Sequence, residues 1–254
     1  MSRIARVLII AGSDPSGGAG IQADIKTVTA MGGYAMTAIT ALTVQNTLGV
    51  TDVFDAPALI VRAQIRACLS DIGADALKTG MLATAEVVEL TAEEVSHARA
   101  PLVVDPVMVA KGGASLIADA AVEALIGSLL PLAAIITPNA PEAARLTGVD
   151  VENADGQMRA AEALLRLGAG AALVKGGHIE GEVVRDVLVW EGGARIFESP
   201  RIHTQHTHGT GCTLASAIAV GLGAGKTLPD AVEAARAYVH QAILYAPGFG
   251  RGSG

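Results

Sequence analysis

The residues best suited to chemistry in this 254-residue chain lie in short polar or glycine-rich clusters. In Thr207-His208-Gly209-Thr210-Gly211-Cys212-Thr213, a Gly-x-Gly turn runs into the small-residue stretch Leu214-Ala215-Ser216-Ala217-Ile218-Ala219. The first amides of a helix lack intrahelical acceptors and sit at the positive end of its dipole. Gly209, Thr210, Gly211 and Cys212 are therefore candidates for an anion site. Cys212 would occupy the first turn, where a thiol is drawn toward the thiolate. The equal alternative is a small buried hydrophobe, which is the reading taken for Cys68. Asp105 and the pattern Asn139-x-x-Glu142 each follow an apolar run. Such oxygens suit Mg²⁺, which keeps several waters and takes one or two carboxylates together with phosphate. Asn139 and Glu142 read equally well as a helix cap after Pro138. Lys175, ahead of Gly176-Gly177, places a cation at another such run's end.

Three further signals point elsewhere. The loop from Gly12 to Gly20 follows an apolar run and precedes a helical pattern, but it lacks the G-x-G-x-x-G spacing that dinucleotide binding requires. Gly221-Leu222-Gly223-Ala224-Gly225-Lys226-Thr227 imitates a phosphate-binding loop. It has Val220 where the first glycine should stand and no strand before it, so it reads as a turn between helices. His203, His206 and His208 lack a partner at a recognised zinc-ligand spacing, so they read as a solvated loop.

The elements that must position these residues are legible from periodicity. Val7–Ala11, Leu102–Val104, Ile135–Ile136 and Ala171–Val174 are unbroken apolar runs, the pattern of parallel strands covered on both faces. Each ends in one of the polar clusters, and ligands of open α/β sheets bind beyond the strands' carboxyl ends. Ile21, Ile25 and Val28 recur at helical spacing, as do Val232, Ala235, Val239 and Ile243. The second of these helices opens with Thr227-x-x-Asp230 and Pro229, a capping start. Alternating apolar positions on either side of Gly192-Gly193 predict an antiparallel hairpin. The expectation is one α/β domain over 1–254, with a mostly parallel sheet between helices.

Composition narrows the function. Hydrophobic residues make up 51% and charged residues 17%, which excludes a disordered chain. A net charge of −7 disfavours nucleic acid as partner, and an aromatic content of 3% offers few stacking faces. No apolar stretch reaches the roughly 20 residues of a membrane span. Two cysteines and no signal-like N-terminal segment suit the cytoplasm.

Several blocks together resemble the hydroxymethylpyrimidine/phosphomethylpyrimidine kinases of thiamine biosynthesis, a ribokinase-like family. The first runs from Ala11-Gly12-Ser13-Asp14-Pro15-Ser16-Gly17-Gly18 to Thr27. The others are Thr40–Thr47, Lys78-Thr79-Gly80-Met81-Leu82, Asp105-Pro106-Val107-Met108, Thr137–Ala143, Lys175-Gly176-Gly177-His178 and Thr207–Thr213. The resemblance implies a three-layer α/β/α fold and a homodimer. It also implies ATP- and Mg²⁺-dependent phosphorylation of 4-amino-5-hydroxymethyl-2-methylpyrimidine and then of its monophosphate. By the same resemblance Gln45 matches the pyrimidine-binding residue, and Gly12, Asp24, Val44 and Met81 match its pocket. Gly209–Cys212 match the anion hole, and Asn139 and Glu142 match the motif that organises Mg²⁺ and phosphate. Lys175 and Asp105 would then stand beside the polyphosphate. A pyridoxal kinase and a catalytically silent ligand-binding relative are the alternatives.

Overall fold

The computed structural model describes residues 4–108 and 117–254. The expected domain bounds therefore include residues 1–3 and 109–116, which lie outside the described residues. Nine strands form one sheet: β1 (Arg6–Ser13), β2 (Tyr34–Asn46), β3 (Gly49–Asp55), β4 (Ala76–Thr79), β5 (Leu102–Val104), β6 (Ala133–Ile136), β7 (Ala171–Val174), β8 (Val183–Trp190) and β9 (Gly193–Pro200). Their order is β3-β2-β1-β4-β5-β6-β7-β8-β9. The six strands from β2 to β7 in that order pair in parallel. Antiparallel β3 closes one side, and the predicted hairpin β8–β9 closes the other.

Alternation along the strands builds two cores. Leu8 and Ile10 of β1 point to one face. There they join Val61 and Ile65 of α2 (Ala58–Asp71), Val88 of α3 (Ala85–Ser96), Ala121 of α4 (Asp119–Ala124), Leu146 of α5 (Ala140–Thr147) and Leu164 of α6 (Ala154–Arg166). Val7, Ile9 and Ala11 point to the other face, against Ile21 and Val28 of α1 (Gly20–Ala30), Leu214–Val220 of α7 (Thr210–Gly223) and Val232 and Ala235 of α8 (Leu228–Leu244). The three-layer arrangement follows from this division.

The α1 stripe differs from its expected pattern. Ile21 and Val28 are buried, but Ile25 faces outward and Asp24 takes an inward position with no exposed surface. Gly223 ends α7 and Leu228 begins α8, so the Lys226-Thr227 segment is a turn between helices, as expected. Thr227 accepts from the Asp230 amide, as its capping pattern predicted.

The chain leaves β1 for β2 on one side, then crosses to β4 on the other. That reversal opens a crevice at the carboxyl ends of the strands, where α/β sheets bind ligands. Leu164 sits far from it, fully buried in the α6 layer. Leu164→Ala is expected to lower unfolding free energy by about 2–5 kcal/mol. Urea denaturation should show the shift, with the crevice's ligand binding unchanged.

Candidate active site

Beyond the strand ends lies a cavity of about 900 Å³. Gly12 lies at the end of β1, Gly80 and Met81 follow β4, Asp105 follows β5, Asn139 and Glu142 follow β6, and Lys175 follows β7; all line it. Thr43 and Gln45 of β2 and the 207–212 segment complete its near end. More than four-fifths of the way along the chain, α7 thus brings its first turn back against loops from the beginning.

Two glycine loops interlock there. Gly209 adopts a left-handed conformation (φ +75°), and a Cβ on it would lie 1.7 Å from the Gly18 carbonyl oxygen. No other residue fits that approach. Asp14 organises the first loop. Its Oδ1 accepts from the Ser16 amide (2.9 Å) and hydroxyl (2.7 Å), and its Oδ2 accepts from the Ala19 amide (2.8 Å). His208 Nε2 stands 2.9 Å from the same Oδ2. Burial pushes the Asp14 carboxyl up, but His208, Ser16 and the backbone donors outweigh it and hold the group down at about 2.

The α7 N-terminus faces the charged end of the cavity. Gly209 offers no side-chain cap, and the amides of Gly211 and Cys212 have no protein acceptor among the described residues. A Cβ on Gly211 would lie 3.2 Å from Lys175 Nζ and 3.7 Å from Asp105 Oδ2. A cation, a carboxylate and unpaired amides therefore converge around one small residue. Lys175 Nζ reaches Asp105 Oδ1 at 3.2 Å, and Thr137 Oγ1 donates to that oxygen at 3.3 Å. Burial alone would lower the Lys175 ammonium, but Asp105 and Glu142 together hold it above its usual value.

Asn139 and Glu142 do cap α5. Asn139 Oδ1 accepts from the Glu142 amide at 2.9 Å, and Glu142 Oε2 accepts from the Asn139 amide at 2.8 Å. Both also line the cavity, so capping and a ligand role are compatible. Burial pushes the Glu142 carboxyl up to about 7, with Lys175 opposing and Asp105 adding to the rise. Among the described residues no three His, Cys, Asp or Glu side chains gather as a metal cage. Asp105 Oδ2 and the Glu142 carboxylate fit the alternative, a cation held by two carboxylates and completed by phosphate and water.

Cys212 lines the cavity, but its first-turn position does not produce a thiolate. Desolvation pushes the thiol up to about 12; Lys78 and the Gly20 amide oppose the rise, and Asp24 and Asp105 add to it. Of the two equal readings of Cys212, the structure fits the buried neutral group, because burial beside two carboxylates outweighs the dipole. Asp24 and Val44 do not line the cavity. Asp24 lies beneath its floor, where Lys78 Nζ donates to Oδ1 (3.0 Å) and Oδ2 (2.9 Å) and Ser216 Oγ donates to Oδ1 (2.7 Å). Val44 is 57% exposed, because strand alternation turns it away from the face that Thr43 and Gln45 present. The expected solvated histidine loop also divides. His203 is exposed beside Glu182, but the His208 side chain is buried at the cavity wall.

Asp14, His208 and Lys78 are the site residues that sequence reasoning left without a role. A lysine inside the buried run Ala76-Leu77-Lys78-Thr79 was the available signal, since a buried charge demands a partner. The far end of the cavity, lined by Val184, Arg201, Ile202, Val239, His240 and Ile243, had no motif at all.

The chain matches the family model described as phosphomethylpyrimidine kinase over residues 14–254. It belongs to that family. A Streptomyces coelicolor hydroxymethylpyrimidine/phosphomethylpyrimidine kinase is 49% identical over 98% of this chain and 91% of its own length. The thiamine biosynthesis bifunctional protein ThiED of Geobacter sulfurreducens is also 49% identical, over 98% of this chain and 51% of that longer protein. The pyridoxal kinase of Staphylococcus aureus in complex with AMP-PCP and pyridoxal superposes with a TM-score of 0.91 at 33% identity, covering 98% of this chain and 91% of that one. The fold is the ribokinase-like one of this kinase group.

Two predictions follow from the floor of the site. With Cys68 replaced by alanine, alkylation of Cys212 at pH 8 should be at least a hundredfold slower than that of a cysteine peptide, since only the thiolate reacts. A thiol raised to about 12 stays neutral throughout this range, so the rate should climb about tenfold per pH unit to pH 10. A plateau below pH 9 would contradict it. Asp24→Asn or Lys78→Met alone should cost about 3–5 kcal/mol by stranding a buried charge. The double variant Asp24→Asn/Lys78→Met should recover part of that loss in chemical denaturation.

Proposed function

We propose that this single-domain protein is an ATP-dependent kinase that phosphorylates 4-amino-5-hydroxymethyl-2-methylpyrimidine and then its monophosphate, supplying the pyrimidine diphosphate for thiamine biosynthesis. The observation that carries this reading is the convergence at Gly211 of the unpaired α7 amides, Lys175 and Asp105, in one cavity with Gln45. The family and its 49%-identical relatives favour the pyrimidine over pyridoxal, whose kinases are more distant at 33–36%.

Phosphoryl transfer needs positioning and charge stabilisation more than covalent chemistry. In this reading the amides of Gly209, Gly211 and Cys212 hold the charge that develops on the transferred group, joined by that of Thr210, which in the free protein faces the Thr207 carbonyl oxygen at 3.5 Å. Lys175 stands beside the polyphosphate. Asp105 and Glu142, with Asn139 fixing the Glu142 backbone and carboxylate, hold Mg²⁺, which when bound neutralises the phosphates. Gln45 reads the ring's nitrogen edge against Gly12 and Met81. Met81 is fixed there by its carbonyl, which accepts from Thr40 Oγ1 at 2.6 Å. The apolar walls of Val184, Ile202, Val239 and Ile243 take the nucleoside end of ATP. The exposed apolar groups Leu42, Val44 and Phe54 on the β2–β3 ribbon support a homodimer seated on that face. No helix among the described residues is long and apolar enough to cross a membrane, and we place the protein in the cytoplasm.

Cys212 stands where sugar kinases of the wider superfamily carry an aspartate base. A neutral thiol suits a second step whose nucleophile is already a phosphate oxygen, because a fixed carboxylate would repel a monophosphate carrying about −1.5 to −2 charge. ADP release should be seen with the pyrimidine alcohol and its monophosphate, and only weakly with pyridoxal. Cys212→Ala should slow the first step less than tenfold, against the ~10²–10⁴ of a general base. Cys212→Asp should lose the monophosphate reaction selectively; equal loss on both substrates would reject the repulsion argument. No ADP release with either pyrimidine would revive a silent binding relative.

A further inference from the structure

The terminal amide of Gln45 is gripped at both ends, and proton counting decides which way round it sits. Its nitrogen position lies 3.2 Å from His208 Nε2, and its oxygen position lies 3.1 Å from Thr43 Oγ1. His208 Nε2 also lies 2.9 Å from Asp14 Oδ2. A carboxylate oxygen only accepts, so His208 must carry its proton on Nε2. An amide NH₂ facing that N–H would set donor against donor. At the other end, Thr43 Oγ1 lies 2.9 Å from the Ser13 carbonyl oxygen, which also only accepts. The Ser13 oxygen is the nearer of the two acceptors in reach (2.9 against 3.1 Å), so the single hydroxyl proton goes to Ser13 and lone pairs face Gln45. An amide oxygen there would set acceptor against acceptor.

Both conflicts vanish when the amide is turned by 180°, an exchange of two atoms nearly identical in shape. The one His208 Nε2–H, directed at Asp14 Oδ2 (2.9 Å), is then shared with Gln45 Oε1 (3.2 Å) in a three-centre bond, and one Gln45 Nε2–H donates to Thr43 Oγ1. One acceptor lone pair beside His208 and one N–H beside Thr43 remain for a ligand. The His208 ring is itself fixed by lack of room: a Cβ on Gly18 would lie 2.4 Å from its Cδ2.

We propose that His208, held by Asp14, and Thr43, held by Ser13, are positioning residues that lock the Gln45 amide in this orientation and so make the site select a 4-amino over a 4-oxo pyrimidine. The inference rests on the kinase reading above and extends it to specificity. The reacting 5-hydroxymethyl group must point at Gly209–Cys212, and His208 adjoins Gly209 in the chain. In the proposed pose the neighbouring 4-substituent faces His208, where the clamped amide offers an acceptor. An amino group donates to it, and ring N3 accepts from the N–H beside Thr43. A 4-oxo ring, with a carbonyl and an N3–H, presents the reverse order at both points.

The test compares kcat/KM for 4-amino- and 4-oxo-5-hydroxymethyl-2-methylpyrimidine. The wild-type protein should prefer the amino ring by roughly 10³-fold or more, as a site built to hydrogen-bond one pattern rejects its inverse. Thr43→Val and His208→Phe each free one end of the amide and should shrink that ratio about 10–100-fold, mainly through KM for the amino ring. Thr43→Ser keeps the hydroxyl and should restore the ratio. If Thr43→Val and His208→Phe depress both substrates equally and leave the ratio intact, the residues are merely structural and the clamp is wrong. If the wild-type protein turns over neither pyrimidine, the kinase reading falls and takes the clamp with it. Turnover of the amino ring with an unmoved ratio sinks the clamp alone.

Discussion

Lys78 and Asp24 share a contact from which the rest of the site takes its shape. Neither side chain has exposed surface, and the ammonium spans both carboxylate oxygens. Lys78 belongs to β4, Asp24 to α1, and Ser216, which donates to Asp24, to α7. The two helices carry the two glycine loops at their starts, so one buried pair fixes both loops against the central sheet. Coulomb attraction in a poorly solvated interior is strong, and so is the cost of desolvating each ion. A hydrophobic replacement could match such a pair in stability, but it would lack the directed bonds that fix α1 and α7 against each other. The Gly18–Gly209 approach tolerates no side chain, and it is placed by this anchoring.

In the proposed reading, the charge arrangement in the cavity lets an acidic protein host polyphosphate. Asp14 is committed to donors from its own loop and to His208. Asp105 shares an oxygen with Lys175, while Glu142, desolvated and facing Asp105, is pushed up to about 7. Like carboxylates in one poorly solvated site disfavour simultaneous ionisation. A bound cation removes that penalty, which couples cation and phosphate binding in the proposed mechanism. In the proposed reading the net charge of −7 is no obstacle, because the groups that would face phosphate are local amides and a lysine.

Much of this was legible in the chain before any coordinates. The apolar runs ending in polar clusters located β1, β5, β6 and β7 and put Asp105, Asn139 and Lys175 at one edge of the sheet. That inference needs only period and the rule for open α/β sheets. The hairpin around Gly192-Gly193 and the false phosphate loop at 221–227 were equally readable, since each depends on local pattern. Asp24 and His208 were misread because their partners lie 54 and 194 residues away. Helical spacing made Ile25 look inward, and only the buried lysine on β4 explains why Asp24 takes that place. The far end of the cavity is built from single apolar residues on β8, α8 and the segment after β9, which leave no contiguous motif.

The thiol at Cys212 shows how position alone can mislead. A first-turn cysteine is drawn toward the thiolate when solvent and cations surround it. Here the same turn is desolvated and sits near Asp24 and Asp105, with Lys78 committed to Asp24. The helix terminus keeps its amides for an incoming anion while its one titratable side chain stays neutral. A carboxylate at that position would serve the proposed reading only while the nucleophile is an alcohol. Once the nucleophile is itself a phosphate, the negative charge would oppose substrate at the very point where the amides must attract it. In the proposed reading a neutral, weakly polar side chain would leave the field of the α7 terminus, Lys175 and the cation unopposed for both steps, so that one cavity could add a phosphate to its own product.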